Sequence, residues 1–289
     1  MQRNKAILYT TTFLSGVLMT SLMGSLAFAA DAAPPSSAAV SAFNGKLEFG
    51  GGWADSDLFS SDEAFYGAGS ISMPLGESFG LQIDGAVKDV FGETFVGGAG
   101  HLFMRDPQSY LFGAIGGAAD MGAVDIVWGG GEAEFYLNNI SLELAAGYMN
   151  VNPDSGSNDD DAFAFADLAF YATENLRFAV GGSSVAGFET GHLTAEYMFS
   201  DMPFSIKAEG RVGEDDFVSG TLGFSFYFGG DDSSKSLMRR HREDDPKNRV
   251  LDIFGSAAAA GFNEVGPNTP TCPQYYYYVD GEGCVPQLG

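Results

Sequence analysis

Positive charge is scarce in this chain. Its 289 residues hold 14 Lys and Arg against 38 Asp and Glu, a formal net charge of -24. A surface of that sign repels phosphate, which excludes nucleic acid as a partner. Histidine is rarer still, with His101, His192 and His241 alone, and cysteine is limited to Cys272 and Cys284. Two cysteines without a neighbouring His make a poor zinc site, and VNPDSGSNDDD lacks the ligand order of a calcium loop. No metal site and no cofactor is therefore expected. Beyond residue 30 no apolar run reaches the length of a membrane helix, and no stretch between residues 42 and 230 carries a convincing helical pattern.

The one long apolar run lies at the start. MQRNK carries two positive charges and AILYTTTFLSGVLMTSLMGSLAF none, and AFA at 27–29 fits a small-x-small cleavage site. Residues 1–29 thus read as an export signal and 30–41, rich in Ala, Pro and Ser, as a linker. In an exported chain the cysteine pair is most simply one disulfide, Cys272 to Cys284, closing a loop around PQYYYYVDGEG.

Glycine and aromatics are abundant instead: 40 Gly, 25 Phe and 12 Tyr. Residues 42–230 repeat one unit, about ten residues of alternating character followed by Gly, Asp, Asn or Pro. The spacing predicts twelve strands, at 42–53, 63–74, 78–89, 93–104, 109–119, 123–137, 139–150, 162–172, 175–185, 190–200, 203–213 and 217–228. Connections alternate between short turns such as PLGES, RDPQS and YLNN and a second set containing the longer, acidic ADSDLFSSDE and VNPDSGSNDDD and the longer SSVAGFET. One rim short and the other long is the arrangement of transmembrane barrels.

Charge recurs on one face of these strands. Leu81, Ile83 and Val87 oppose Gln82, Asp84 and Lys88; Ile140, Leu142 and Leu144 oppose Glu143; Phe204 and Ile206 oppose Lys207, Glu209 and Arg211. A sandwich or a small soluble barrel would put the apolar face inside. A closed all-β antiparallel transmembrane barrel puts it toward lipid, with a polar lumen. On that reading Lys88, Glu132, Glu134, Glu143, Asp167, Arg177, Glu196, Lys207, Glu209 and Arg211 line a pore in which acids outnumber bases, favouring cations. Tyr110, Phe112, Phe135, Tyr136, Tyr148, Tyr171, Tyr197 and Phe199 sit near strand ends as an aromatic girdle would.

TLGFSFYF at 221–228 resembles the terminal-strand signal of Gram-negative outer-membrane β-barrels, with Thr221, Gly223, Phe226 and Phe228 in its positions. The resemblance implies a porin-like barrel in the outer membrane, contacts with its lipids, recognition by the barrel-assembly machinery, and closure of the last strand on the first. In that family the signal usually ends the chain, whereas 61 residues follow Phe228 here. The tail from 231, with SLMRRHREDDP, is similar to those of uncharacterised alphaproteobacterial barrels. It is expected to be mostly irregular and to stay in periplasmic water, open to a periplasmic partner, with both termini on that side. Passive diffusion of ions or small solutes is the expected function. A non-conducting structural or adhesive barrel and a barrel-type lipid hydrolase are the alternatives. The hydrolase needs a serine beside a histidine, which the spacing does not place, so His101 and His192 read as lumen or interfacial side chains.

Overall fold

The computed structural model describes residues 37–57, 61–154, 158–200, 202–259, 276–279 and 283–286. The export signal and the first part of the linker lie outside them. Cys272 does too, and with it the expected disulfide to Cys284.

Twelve strands form the body: β1 (Asn44–Asp55), β2 (Asp62–Leu75), β3 (Phe79–Val90), β4 (Glu93–Asp106), β5 (Tyr110–Asp120), β6 (Val124–Leu137), β7 (Ile140–Pro153), β8 (Asp159–Thr173), β9 (Leu176–Val185), β10 (Phe188–Met198), β11 (Phe204–Gly213) and β12 (Val218–Gly229). Each pairs antiparallel with its chain neighbour, and β12 pairs with β1 from Asn44–Gly229 to Asp55–Val218, closing the barrel. Closure satisfies the backbone donors and acceptors that an open edge would leave bare in hydrocarbon.

The outer wall is apolar. Leu47, Phe49, Ile83, Leu102, Leu168, Val180, Leu193, Val212 and Leu222 each leave half or more of their surface exposed. No soluble protein gains by displaying such a continuous belt, whereas lipid accepts it. On one rim, where the turns are short, aromatic rings associate into chains: Tyr110, Phe112 and Phe135, and Tyr197, Phe199, Phe204, Phe224 and Phe49. Two members of the expected girdle do not belong to it. Tyr136 and Tyr171 are 5% and 2% exposed and point inward, because their strand parity matches Glu134 and Ala169 rather than Phe135 and Phe170.

The long-loop rim is also shorter than expected. β7 and β8 extend into the acidic segment, and SSVAGFET condenses to a two-residue turn at Ala186 and Gly187. Both residues have positive φ, 51° and 79°, as do Phe91 and Gly92 in the β3–β4 turn. That geometry matches the right-handed strand twist and lets long hairpins close tightly.

Beyond β12 the chain turns at Gly229 and Gly230, both at positive φ, and forms α1 (Leu237–Glu243) and α2 (Arg249–Ala259). A hairpin of β13 (Tyr276–Val279) and β14 (Gly283–Pro286) follows. The expectation that this tail remains in water is corrected for residues 235–258. Leu237, Val250, Ile253, Phe254 and Ala257 are fully buried, and α2 packs on Phe95 and on the inward faces of β3, β4, β9 and β10. Residues 235–258 therefore run up the lumen. The physical reason is that half of the inward face is apolar: Phe95, Ile126, Trp128, Phe163, Phe165 and Val185 need cover, and the apolar side of α2 provides it.

Leu222 and Thr221 are neighbours with opposite outlooks, lipid and lumen. Leu222→Arg should lose the folded, heat-modifiable form on gels, at a cost of about 2–4 kcal/mol near the midplane. Thr221→Arg, which faces Glu209 across the β11–β12 pair, should keep it.

Candidate functional site

The lumen has two layers. Toward the long-loop rim it is the apolar core just described. Toward the short-turn rim it is charged. Between the rims the inward face presents eight carboxylates (Glu48, Asp84, Glu132, Glu134, Glu143, Asp167, Glu196, Glu209) and six cations (Lys46, Lys88, Arg105, Arg177, Lys207, Arg211). All ten of the residues expected from strand alternation to line a pore lie on this face. The alternation did not single out Lys46, Glu48 or Arg105, nor any residue of the tail.

Many of these charges pair along the wall. Arg177 donates to Glu143 at 2.7 Å, Lys207 to Glu48 at 3.0 Å, and Arg211 to Glu209 at 2.9 Å. His101 is held between Asp84 and Glu132, 3.0 Å from each. His192 Nε2 is 2.5 Å from Asp167. His101 thus has both ring nitrogens on carboxylates and His192 has one, and no serine or threonine hydroxyl bonds to either among the described residues. A hydrolytic site would need one there.

The tail completes the pairing. Lys247 reaches Asp167 at 3.2 Å and Asp252 at 3.0 Å; Arg249 lies 2.9 Å from Asp252 and 3.8 Å from Asp167. Lys46 meets Asp245 at 3.0 Å. Arg242 donates to the carbonyls of Asn138 and Ile140 in the β6–β7 turn and stacks over Tyr136 and Tyr171, which explains why both rings face inward. Ser256 bonds Ser183 and accepts from Arg211. At the short-turn rim the buried Lys235 ammonium contacts Asp231, Asp244 and the Ser41 hydroxyl, each at 2.6 Å. Residues 235–259 carry six Lys and Arg against four acids, a surplus of two positive charges. The wall has the opposite surplus of two.

Ionisation in the tail follows its surroundings. Burial works against the charge of Lys235, yet Asp244, Asp231 and Glu243 hold its ammonium above the usual lysine range. Burial likewise opposes the Asp252 carboxylate, but Lys247 and Arg249 keep it below the usual range. His241 goes the other way. It sits against Tyr171 and Tyr227, with Glu196 3.7 Å away, and burial pushes it down to about 4. Arg177 and Lys46 act in the same direction as burial, and Glu196 and Glu143 oppose it.

Beside the tail a cavity of about 120 Å³ remains, enough for several waters. Its lining begins at Tyr136, Ser141 and Arg242 near the short turns and ends at Ala64, Lys88 and Ser219 near the other rim. Seven cationic and seven acidic side chains border it. Tyr66 lies along its wall with the ring against Gly50 and the hydroxyl over Gly223, where a Cβ would collide with that hydroxyl. The glycine of the terminal-strand motif thus has a packing reason of its own.

No family model matches this chain, and no curated protein is significantly similar to it. Solved structures do resemble it. The KdgM porin in complex with disordered oligogalacturonate is 9% identical, with a TM-score of 0.49, over 64% of this chain and 99% of that one. An outer membrane channel from Pseudomonas putida F1 is 11% identical, with a TM-score of 0.49, over 69% and 100%. Outer membrane phospholipase A from Escherichia coli is 12% identical, with a TM-score of 0.41, over 64% and 92%. At these identities the likeness concerns the barrel fold, which the strand pairing already establishes.

A histidine held below its ordinary value of about 6.5 favours the neutral, folded form. Its contribution is complete above that pH and is lost as pH falls toward about 4. Thermal stability should therefore drop over this window. His241→Gln should flatten that part of the profile, as followed by circular dichroism in detergent.

Proposed function

We propose that this chain is an outer-membrane barrel for passive diffusion of ions or small solutes, weakly cation-preferring, with its termini in the periplasm. The observation that carries the reading is the charged cavity bordered by residues from both ends of the strands inside a closed barrel. A lumen built only to be filled would not keep charged side chains around a remaining cavity. With the tail seated the cavity admits water-sized species, and the tail sets how much of the barrel's width is open.

The preference for cations rests on the wall, where eight carboxylates face six cations. Carboxylates around a pore raise the local cation concentration. The cationic tail offsets this, so selectivity should be modest while the tail is seated. Thr221, Gly223, Phe226 and Phe228 serve, on this reading, as the signal for barrel assembly, with Phe226 half exposed toward lipid. The exposed belt contacts membrane lipids. Catalysis is not part of the proposal, since no serine or threonine hydroxyl bonds to either wall histidine among the described residues.

One observation favours the second reading, a non-conducting structural barrel: the fully buried packing of α2 against the apolar half of the lumen. Planar-bilayer recording of the refolded protein separates the two. Discrete channels with a cation-side reversal potential support the first, and silence from a heat-modifiable barrel supports the second. Among the described residues Glu134 bonds only the Tyr136 hydroxyl and has no cation within pairing distance. Glu134→Gln should therefore lower cation selectivity at 0.1 M salt and change it little at 1 M, as the screening length shrinks from about 10 Å to about 3 Å.

A further inference from the structure

We infer that residues 235–259 are a releasable plug: a segment seated in the lumen by its apolar face and registered by charge, able to leave toward the short-turn rim while the barrel stays closed. The purpose of such a plug rests on the channel reading, whereas its release can be tested without it.

Three features of the molecule point this way. First, the barrel does not need the segment. All twelve strands are paired in a closed ring, and neither α1 nor α2 contributes to it. Departure of the tail breaks no ladder hydrogen bond. Second, the segment is tethered to the barrel through Gly229 and Gly230, whose φ angles of 72° and 83° favour glycine, at the rim from which it enters. It can swing without unpairing a strand of the barrel.

Third, the seam between segment and wall is held by charges that are incompletely satisfied. Arg249 Nε and Nη2, Glu132 Oε2, Glu143 Oε2 and His192 Nδ1 are buried and have no hydrogen-bond partner among the described residues. Buried ion pairs come close to cancelling their desolvation cost even when fully bonded. A seam with this many orphaned atoms gains less, and release returns those groups to water. The apolar contact of Phe254 with Phe95 works against release. The seated state thus combines an apolar hold at one end with incompletely bonded polar contacts in the middle. Release would also unmask the wall's carboxylate surplus, making the wide state more cation-selective than the seated one.

The test is a lock and a probe on the full chain, with Cys272 and Cys284 replaced by Ser. The Ser183 and Ser256 hydroxyls are 2.8 Å apart, so Ser183→Cys with Ser256→Cys places two sulfurs within reach of a disulfide. Oxidised protein should show only the small conductance, and reduced protein should add bursts of larger openings with a higher cation-over-anion ratio. A chain ended at Gly230 should stay in the large state. If the truncated barrel conducts widely while the oxidised and reduced chains behave alike, the plug is permanent, and the release proposal falls with the channel reading intact.

If even the truncated barrel is silent, the channel reading falls and the probe decides release. Ala257 is fully buried in the seated segment. Ala257→Cys should react slowly with a polymer-linked maleimide while the protein remains heat-modifiable. Lys247→Met with Arg249→Met should raise that rate about tenfold, because it leaves the Asp252 carboxylate buried without its cations. Absence of labelling over hours in both backgrounds overturns the proposal.

Discussion

Fourteen charged side chains point into a lumen sealed from lipid by its own wall, and most of them find a partner there. Asp167 shows how the need is met. It accepts from His192 on the wall and from Lys247 on the tail, with Arg249 close behind. Remove the tail and Asp167 keeps one partner; remove the wall and the tail's basic run has no reason to be buried. The opposite surpluses of two charges make the seated state electrically closed.

Charge alone would not hold the segment, since buried pairs give little net stability. The other half of the lumen supplies what charge cannot. Phe95, Trp128, Phe163 and Phe165 form an apolar layer that α2 covers with Val250, Ile253, Phe254 and Ala257. Burial of such side chains is worth roughly 25 cal/mol per Å² removed from water. The small residues of this helix, Gly255, Ser256 and Ala258, let it approach the wall closely, with Gly255 against the Arg211 guanidinium. The tail is thus held apolar-first and registered by charge.

Much of this was legible in the sequence. Strict alternation in SFGLQIDGAVKD and NISLELAAGY fixes both strand and facing, because a lipid wall and a polar lumen ask for opposite residues at successive positions. The twelve strands and the inward placement of the ten charged residues follow from it. The filled lumen was hidden for two reasons. In DAFAFADLAFY the pattern inverts, with Phe163 and Phe165 inward and alanines outward, so alternation alone reads as a strand but not as an apolar interior. In SLMRRHREDDPKNR the density of charge reads as a solvated segment, since sequence does not disclose that opposite charges wait on strands far earlier in the chain. The segment pairs by complement to a surface that exists only once the barrel has closed. Tyr136 and Tyr171 were misplaced for a related reason: strand-end position suggested a girdle, while their parity made them stacking partners for Arg242.

Residues 235–258 are seated inside the barrel rather than free in water, and every other feature of the lumen turns on that placement. Hydrogen exchange of the refolded full-length chain in detergent tests it most directly. The amides from Val250 to Ala258 should exchange far more slowly than those of an unstructured peptide, with protection approaching that of the barrel strands. Exchange of those amides at unstructured rates, in a barrel whose strands stay protected, would contradict it.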